Sequence, residues 1–265
     1  ERALNARPAA FMSPSRARLV HLGNIEDDLE KLAGCDLVVE AIIELPEPKK
    51  ALYARLEPLL RDDTIIATNT SGIPIHSLAA DRGEGFRRRF LGTHFFNPPR
   101  YLHLLELIPT EETDPGVLET LRAFGERILG KGVVVAKDRP GFIANRLGVH
   151  ISVTAMRLME KHDLTIDEVD TLTGPLTGRP KSATYRTADL SGLDVLKMVG
   201  EQLSAATGED LRMPRWLDDL VAQGRLGEKT GAGFYTRKDK QILTLDLKTG
   251  EYVPQRQPDI PGVAE

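Results

Sequence analysis

The sequence predicts an α/β protein in which a parallel sheet is followed by an all-α domain. Between residues 18 and 137, short apolar runs alternate with amphipathic segments, as in chains where strands and helices follow one another. The apolar runs are nearly uninterrupted, which favours strands covered on both faces. After residue 137 the pattern becomes helical, so a first domain is predicted over residues 1–137.

Six strands are predicted in this first domain, with helices between them. The strand candidates are 18–22, 36–43, 64–69, 90–96, 103–108 and 132–136. The helix candidates are 26–33, 48–60, 75–81 and 115–129. Ligands of parallel sheets bind at the carboxyl ends of the strands, so polar residues there are candidates for a site. Glu44, Asn69–Ser71 and His94 lie at or just beyond predicted strand ends.

Residues 138–236 are predicted to form a helical domain, and residues 237–265 a C-terminal hairpin and linker. Pro140 can occupy the first turn of a helix, and one long helix is predicted from Phe142 to Met159. The hairpin is predicted to turn at Thr249–Gly250. The remaining helix candidates are 166–172, 190–206 and 214–223.

The composition limits the partners that this chain can be expected to bind. A hydrophobic content of 41% with 28% charged residues is typical of a globular protein, and a net charge of −4 does not favour nucleic acid. The single cysteine excludes an internal disulfide framework, and the histidines lack metal-ligand spacing, so no metal is predicted. No apolar run reaches the roughly 20 residues of a membrane span, and we expect a cytoplasmic protein.

His94 and Glu106 form the first candidate for catalysis. His94 ends one apolar run and Glu106 lies inside the next. A neutral imidazole can take a hydroxyl proton near pH 7, and a nearby carboxylate fixes its tautomer and stabilises the imidazolium. A buried carboxylate without a partner would be costly, so Glu106 requires one. From the pattern alone, a core histidine satisfied by backbone remains an equal alternative.

A glycine-rich phosphate turn is not found in this sequence. Dinucleotide-binding domains normally begin with a strand, a glycine-rich turn and a helix. No G-x-G-x-x-G stands between a predicted strand and helix, and residues 1–7 resemble the last turns of a helix. We therefore expect about 70 residues to precede the chain, a figure from two βα units of about 30 residues each.

Six sequence motifs occur along the chain in the order Asp36–Ala41, Ile66–Ser71, Gly92–Pro98, Lys137–Arg146, Ala188–Asp194 and Lys229–Tyr235. With these motifs the chain resembles a known family, the 3-hydroxyacyl-CoA dehydrogenases of fatty-acid β-oxidation. The resemblance implies an incomplete Rossmann-type NAD-binding domain and a helical domain that dimerises. It also implies NAD-dependent interconversion of 3-hydroxyacyl-CoA and 3-ketoacyl-CoA. Residues 178–187 are similar to bacterial proteins fused to an enoyl-CoA hydratase, which suggests such a partner.

The same resemblance implies roles for individual residues. His94 would be the catalytic base and Glu106 would orient it, while Ser71 and Asn145 would hydrogen-bond the substrate. The implied cofactor contacts are Glu44, Lys49, Ser71, Asn97 and Lys229.

Two alternative functions remain open at the level of sequence. The first is a truncated, non-catalytic module that binds acyl-CoA or dimerises. The second is another β-hydroxyacid dehydrogenase, although those enzymes usually use a lysine as the key base. A test with a CoA thioester separates these alternatives.

Overall fold

A computed structural model of the chain describes residues 3–6 and 8–260. It divides into two compact units, Glu1–Ile143 and Ala144–Glu265. Residues just after 137 belong to the first unit, because the Asp138 carboxylate accepts the backbone N–H groups of Ile75 and His76. The helix end predicted over residues 1–7 lies partly outside the described residues, and residues 3–5 form a turn.

The first unit contains a five-stranded sheet in the order β1-β2-β3-β4-β5. β1 pairs with β2, β2 with β3 and β4 with β5 in parallel, as predicted, but β3 and β4 are antiparallel. Parallel neighbours need a crossover of a dozen or more residues, and residues 96–103 are too few to provide one. The strands are β1 (Leu37–Glu40), β2 (Ile65–Thr68), β3 (Phe90–Phe95), β4 (Leu104–Pro109) and β5 (Gly132–Val135).

Helices cover both faces of this sheet. On one face, Tyr53 of α1 and Phe86 of α3 pack with Phe90 of β3, with ring centroids between 5.2 and 5.8 Å apart. On the other face, Leu121 of α4 packs with Leu91 and the buried leucines of β4. The helices are α1 (Pro46–Leu56), α2 (Ile75–Ala79), α3 (Glu84–Arg88) and α4 (Pro115–Ala123), and α4 continues as a π-helical turn, Phe124–Ile128.

Two predicted elements of the first unit are wrong. The predicted strand 18–22 is not formed; Pro14–Leu19 is a 3₁₀ helix and Leu22 is 90% exposed. A strand needs a neighbour to satisfy its backbone, and in the described part of the chain β1 pairs only with β2. The predicted helix 26–33 is a 3₁₀ helix over Leu29–Gly34, and α3 was not predicted.

The second unit is built around five helices. They are α5 (Ala144–His162), α6 (Ile166–Thr173), α7 (Tyr185–Ser191), α8 (Leu193–Thr207) and α9 (Arg215–Ala222). The long helix begins at Ala144 and not at Phe142, because Gly141 and Phe142 have φ values of 72° and 47°, outside the helical region. The predicted helix 190–206 is divided at Gly192, which has a φ of 99°.

A three-stranded antiparallel sheet completes the second unit. It consists of β6 (Tyr235–Lys238), β7 (Gln241–Leu245) and β8 (Tyr252–Pro254) in that order. The predicted hairpin corresponds to β7 and β8, and Gly250 in their turn has a φ of 75°. β6 was not predicted, and Tyr235 and Leu245 belong to the core around Met156 of α5, so the second unit is not wholly helical.

Across residues 3–6 and 8–260, we find no helix that combines the length and the apolar composition needed to cross a bilayer.

Candidate active site

The pair His94 and Glu106 lies at the centre of the first unit's sheet. The two residues face each other in the antiparallel register of β3 and β4. His94 Nδ1 is 2.7 Å from Glu106 Oε2, and Glu106 is fully buried while His94 is 5% exposed. The second oxygen, Oε1, accepts the backbone N–H of Ile143 at 2.9 Å. A carboxylate accepts only, so the neutral imidazole carries its proton on Nδ1 and its lone pair on Nε2.

Two aromatic rings hold the imidazole plane. The ring of Phe96 lies 4.4 Å from the ring of His94, and that of Phe142 lies 5.5 Å away, both edge-on. The backbone of Phe142 has a positive φ of 47°, and this turn brings its ring against His94 before α5 begins. The motif Lys137–Arg146 therefore contributes a wall to the site.

Glu44 ties together the ends of β1 and β2. Its Oε1 accepts the Thr70 hydroxyl at 2.5 Å and the backbone N–H groups of Ser71 and Gly72 at 2.7 and 3.1 Å. Its Oε2 lies 3.3 Å from Lys49 Nζ. Burial alone would raise the pKa of Glu44, but the Thr70 and Ser71 hydrogen bonds and the Lys49 charge hold it below its ordinary value. Glu44 is therefore a fixed anion at this edge.

Asn69 joins the same edge to β3. Its side-chain oxygen accepts the backbone N–H of Phe95, the residue after His94, at 3.0 Å. Because β1, β2 and β3 are parallel, their carboxyl ends share one edge of the sheet. Glu44, Ser71 and His94 thus lie at one edge, as the sequence predicted.

Lys49 is buried in a network that was not predicted. Its Nζ lies 2.8 and 3.0 Å from the two oxygens of Glu40, and its side chain is 1% exposed. Tyr53 and Thr68 each donate a hydroxyl hydrogen bond to Glu40 Oε2 at 2.7 Å. Glu40 is a carboxylate at the end of an apolar strand, so its burial requires a partner just as the burial of Glu106 does. The role of Lys49 as a cofactor contact stays a prediction.

The other predicted site residues lie in two places. Asn97 is exposed in the segment after β3, in the first unit. Asn145 is half-buried in the first turn of α5, and Lys229 lies in a 3₁₀ turn over Glu228–Thr230, both in the second unit. The ammonium of Lys229 is paired with Asp194, at 2.5 and 2.7 Å from its two oxygens.

A buried aspartate positions the loop that carries Lys229. The carboxylate of Asp189 accepts the backbone N–H groups of Phe234 and Tyr235, each at 2.8 Å. A Cβ on Gly233 would lie 2.1 Å from Asp189 Oδ1, and one on Gly227 would lie 2.3 Å from the Asp189 carbonyl oxygen, so both positions require glycine. Burial raises the pKa of Asp189 to about 6. In the sequence, the acidic residue within α7 and the spacing of these glycines were the features from which this contact could have been predicted.

Comparison with known families identifies the chain. Residues 3–139 match the family described as "3-hydroxyacyl-CoA dehydrogenase, NAD binding domain", and residues 141–237 match "3-hydroxyacyl-CoA dehydrogenase, C-terminal domain". The chain belongs to the 3-hydroxyacyl-CoA dehydrogenase family. This confirms the predicted family, the oxidoreductase class and NAD as the cofactor, together with the α/β fold class and its helical second part.

Similar proteins extend the comparison. The "Probable 3-hydroxyacyl-CoA dehydrogenase" of Deinococcus radiodurans is 54% identical over 244 residues, which cover 91% of this chain and 70% of that protein. The crystal structure of FadB2 from M. tuberculosis is similar, with a TM-score of 0.73 and 36% sequence identity. The match covers 80% of this chain and 74% of the FadB2 chain.

Some related proteins are multifunctional. The "Putative fatty acid oxidation complex trifunctional enzyme" of Rickettsia felis is 34% identical over 253 residues, or 91% of this chain. The chain spans only 35% of the length of that relative.

Proposed function

We propose that this protein interconverts 3-hydroxyacyl-CoA and 3-ketoacyl-CoA with NAD, and that His94 is its acid–base residue. The observation that carries the proposal is the buried pair of His94 and Glu106, 2.7 Å apart, at the carboxyl edge of the sheet. The Glu106 carboxylate accepts the hydrogen bond from Nδ1 of His94, and no described residue forms a hydrogen bond with Nε2. The imidazole therefore has one nitrogen left for a substrate proton.

In the oxidising direction, Nε2 of His94 takes the proton from the substrate's 3-hydroxyl group. Glu106 keeps the proton on Nδ1 and stabilises the imidazolium that forms, as general-base catalysis requires. Bound NAD supplies the acceptor for the hydride that leaves C3. In the reducing direction, the imidazolium returns its proton to the 3-oxygen.

The residues at the strand edge fit the cofactor chemically. Glu44, Ser71 and Asn97 offer a carboxylate, a hydroxyl and an amide, the groups that hydrogen-bond ribose hydroxyls and a carboxamide. Lys49 and Lys229 complete the proposed cofactor set. Ser71, together with Asn145, is also proposed to hydrogen-bond the substrate around its 3-oxygen and thioester.

The domain and partner assignments are part of the proposal. Residues 1–137 would bind NAD, 138–236 would bind substrate and form a homodimer, and 237–265 would form a hairpin and linker. Because a trifunctional relative is about three times as long as the matched segment, an associated or fused enoyl-CoA hydratase is proposed as a partner. The cytoplasm is proposed as the compartment.

The first prediction tests His94. In the full-length protein, His94→Gln should lower acetoacetyl-CoA reduction, measured as loss of NADH absorbance, by roughly 10²–10⁴-fold because it removes the acid–base group. NADH binding, measured by fluorescence titration, should change little. His103→Gln is the matched control, because His103 is an exposed histidine of the same unit. Full activity in His94→Gln would contradict the assignment.

A comparison of substrates separates this proposal from the alternatives. Reduction of acetoacetyl-CoA but not of free acetoacetate supports a CoA-thioester dehydrogenase. Comparable reduction of both would favour a β-hydroxyacid dehydrogenase of another kind. Binding of acetoacetyl-CoA without any NADH oxidation would favour the non-catalytic module.

A further inference from the structure

The second unit contains a cavity of about 840 Å³ that the proposed dehydrogenase function does not use. Its walls come from α6, from the segment that leads into α7, from β6 and from the segment 255–257 after β8. A volume of this size suits a small organic ligand. All lining residues belong to the second unit.

The cavity is lined by four cationic side chains, and most of them have no ion pair in the described part of the chain. Lys181, Arg186, Arg237 and Arg256 all line it. Arg186 pairs with Glu228 at 3.0 Å, whereas the other three form no ion pair within the part of the chain that the structure describes. Like charges that converge on one cavity repel each other, so an anion that binds between them would be favoured.

Two aspartates also line the cavity, and the protein itself occupies their hydrogen-bonding oxygens. Asp170 accepts the backbone N–H groups of Tyr185 and Arg186 at 2.7 and 3.0 Å, and also the Tyr235 hydroxyl at 2.8 Å. Its oxygens thus accept hydrogen bonds from the protein itself, and burial raises the pKa of Asp170. Asp170 therefore anchors the backbone of one cavity arginine.

Asp167, one turn earlier in α6, has the same function. It accepts the Thr244 hydroxyl and the backbone N–H of Arg256, each at 2.8 Å. It is buried, so most of its surface faces the protein. Two carboxylates thus fix the backbone of two arginines, and the guanidinium of Arg256, which forms no ion pair among the described residues, is left for a ligand. Guanidinium groups bind phosphate oxygens in bidentate fashion.

We propose that this cavity binds the diphosphate group of a small ligand. Three of its four cations have no ion pair with any described residue, and two of these three are arginines, so they offer more charged donors than a single carboxylate can accept, whereas a diphosphate has oxygens for all three. The shared chemistry is the phosphate group itself, which inorganic pyrophosphate, a nucleoside diphosphate and the pyrophosphate of coenzyme A all carry.

The test is calorimetric titration of the full-length protein with inorganic pyrophosphate at low ionic strength. The double variant Arg237→Gln/Arg256→Gln should weaken binding by roughly tenfold or more, because it removes two charge-assisted contacts. Lys238→Gln is the matched control, since Lys238 is an exposed cation next to Arg237 that does not line the cavity. Circular dichroism should show the same fold for all three proteins.

Three results would overturn the proposal. These are no binding of pyrophosphate at millimolar concentration, equal weakening in Lys238→Gln, or unchanged binding in the double variant. Titrations with ADP and with coenzyme A distinguish the sources, and only affinity that the double variant lowers is assigned to this cavity, because the proposed dehydrogenase site also binds a dinucleotide and acyl-CoA. Within that part, equal affinity for pyrophosphate and ADP shows that the diphosphate alone is recognised, whereas much tighter binding of one organic ligand identifies it. The double variant should leave acetoacetyl-CoA reduction unchanged, so failure of this proposal and failure of the proposed function can be told apart.

Discussion

Glu40 and Glu106 are two buried carboxylates on strands of the same sheet, and they differ in how their partners are arranged. Glu40 is surrounded by the Lys49 ammonium and by the hydroxyls of Tyr53 and Thr68. Burial raises the pKa of the Tyr53 phenol well above its ordinary value, so this group remains a neutral donor. Glu106 accepts the backbone N–H of Ile143 and lies 2.7 Å from His94 Nδ1, and the second nitrogen of His94 receives no hydrogen bond from the described residues.

The comparison shows that burial of an acidic residue does not by itself identify a catalytic site. The side chains that donate to Glu40 are buried, and so is Lys49. The network therefore stabilises the packing of α1 against β1 and β2. At Glu106, one oxygen is paired with the imidazole of His94, whose Nε2 remains available at the carboxyl edge of the sheet. The contacts of Glu40 therefore contribute to the stability of the fold, whereas those of Glu106 determine the tautomer and charge of His94.

The largest effect is expected where the closed network is broken. Glu40→Gln should lower the free energy of unfolding by about 3–5 kcal/mol, because it leaves the buried Lys49 ammonium without its main partner. Urea unfolding followed by circular dichroism measures this change. Lys50→Gln is the control: Lys50 is adjacent, only partly buried and 3.4 Å from Asp81, and should change stability by less than about 0.5 kcal/mol. Equal effects of the two variants would refute the comparison.

A smaller effect, on turnover, is expected at the other carboxylate. Glu106→Gln should lower acetoacetyl-CoA reduction by roughly a hundredfold, since the amide neither fixes the Nδ1 proton nor stabilises the imidazolium. The pH–rate profile should also shift, which a purely structural role would not cause. If Glu106→Gln lost stability as Glu40→Gln does but kept its turnover, the two carboxylates would have the same function.

The smallest effect concerns Asp189, a buried carboxylate that accepts the backbone N–H groups of Phe234 and Tyr235. Its folded pKa of about 6 exceeds the ordinary value of 3.8, so its contribution to stability is lost as the pH rises through 6. Relative to Asp189→Asn, the free energy of unfolding should therefore fall by about 1 kcal/mol between about pH 5 and pH 7.

Asp194→Asn provides a control of opposite sign. The hydrogen bond from Lys229 lowers the pKa of Asp194, so its contribution is lost only as the pH falls below the ordinary value of 3.8. Relative to this variant the free energy of unfolding should stay constant between about pH 5 and pH 7. A rise with pH relative to Asp189→Asn would show that the Asp189 pKa is not raised.

Local patterns in the sequence predicted much of the fold and of the site. Apolar runs located five strands of the first unit, because continuous burial requires continuous apolar residues. The positions of His94 and Glu106 within two such runs predicted a pair, and six motifs predicted the family. The need of a buried carboxylate for a partner is a property of the residue itself, so it can be recognised without a structure.

The tertiary structure decided the features that depend on distant neighbours. The predicted strand 18–22 is absent because backbone pairing needs a second strand, and no periodicity in a segment reports whether one is present. Lys49 is the clearest case among the site residues: the family resemblance implied a cofactor contact, and only the fold shows that its ammonium also forms a buried ion pair with Glu40, nine residues earlier. Sequence thus determined which segments are apolar and which groups need partners, and only the packed chain determined which partners they have, because burial and distance arise from the fold as a whole.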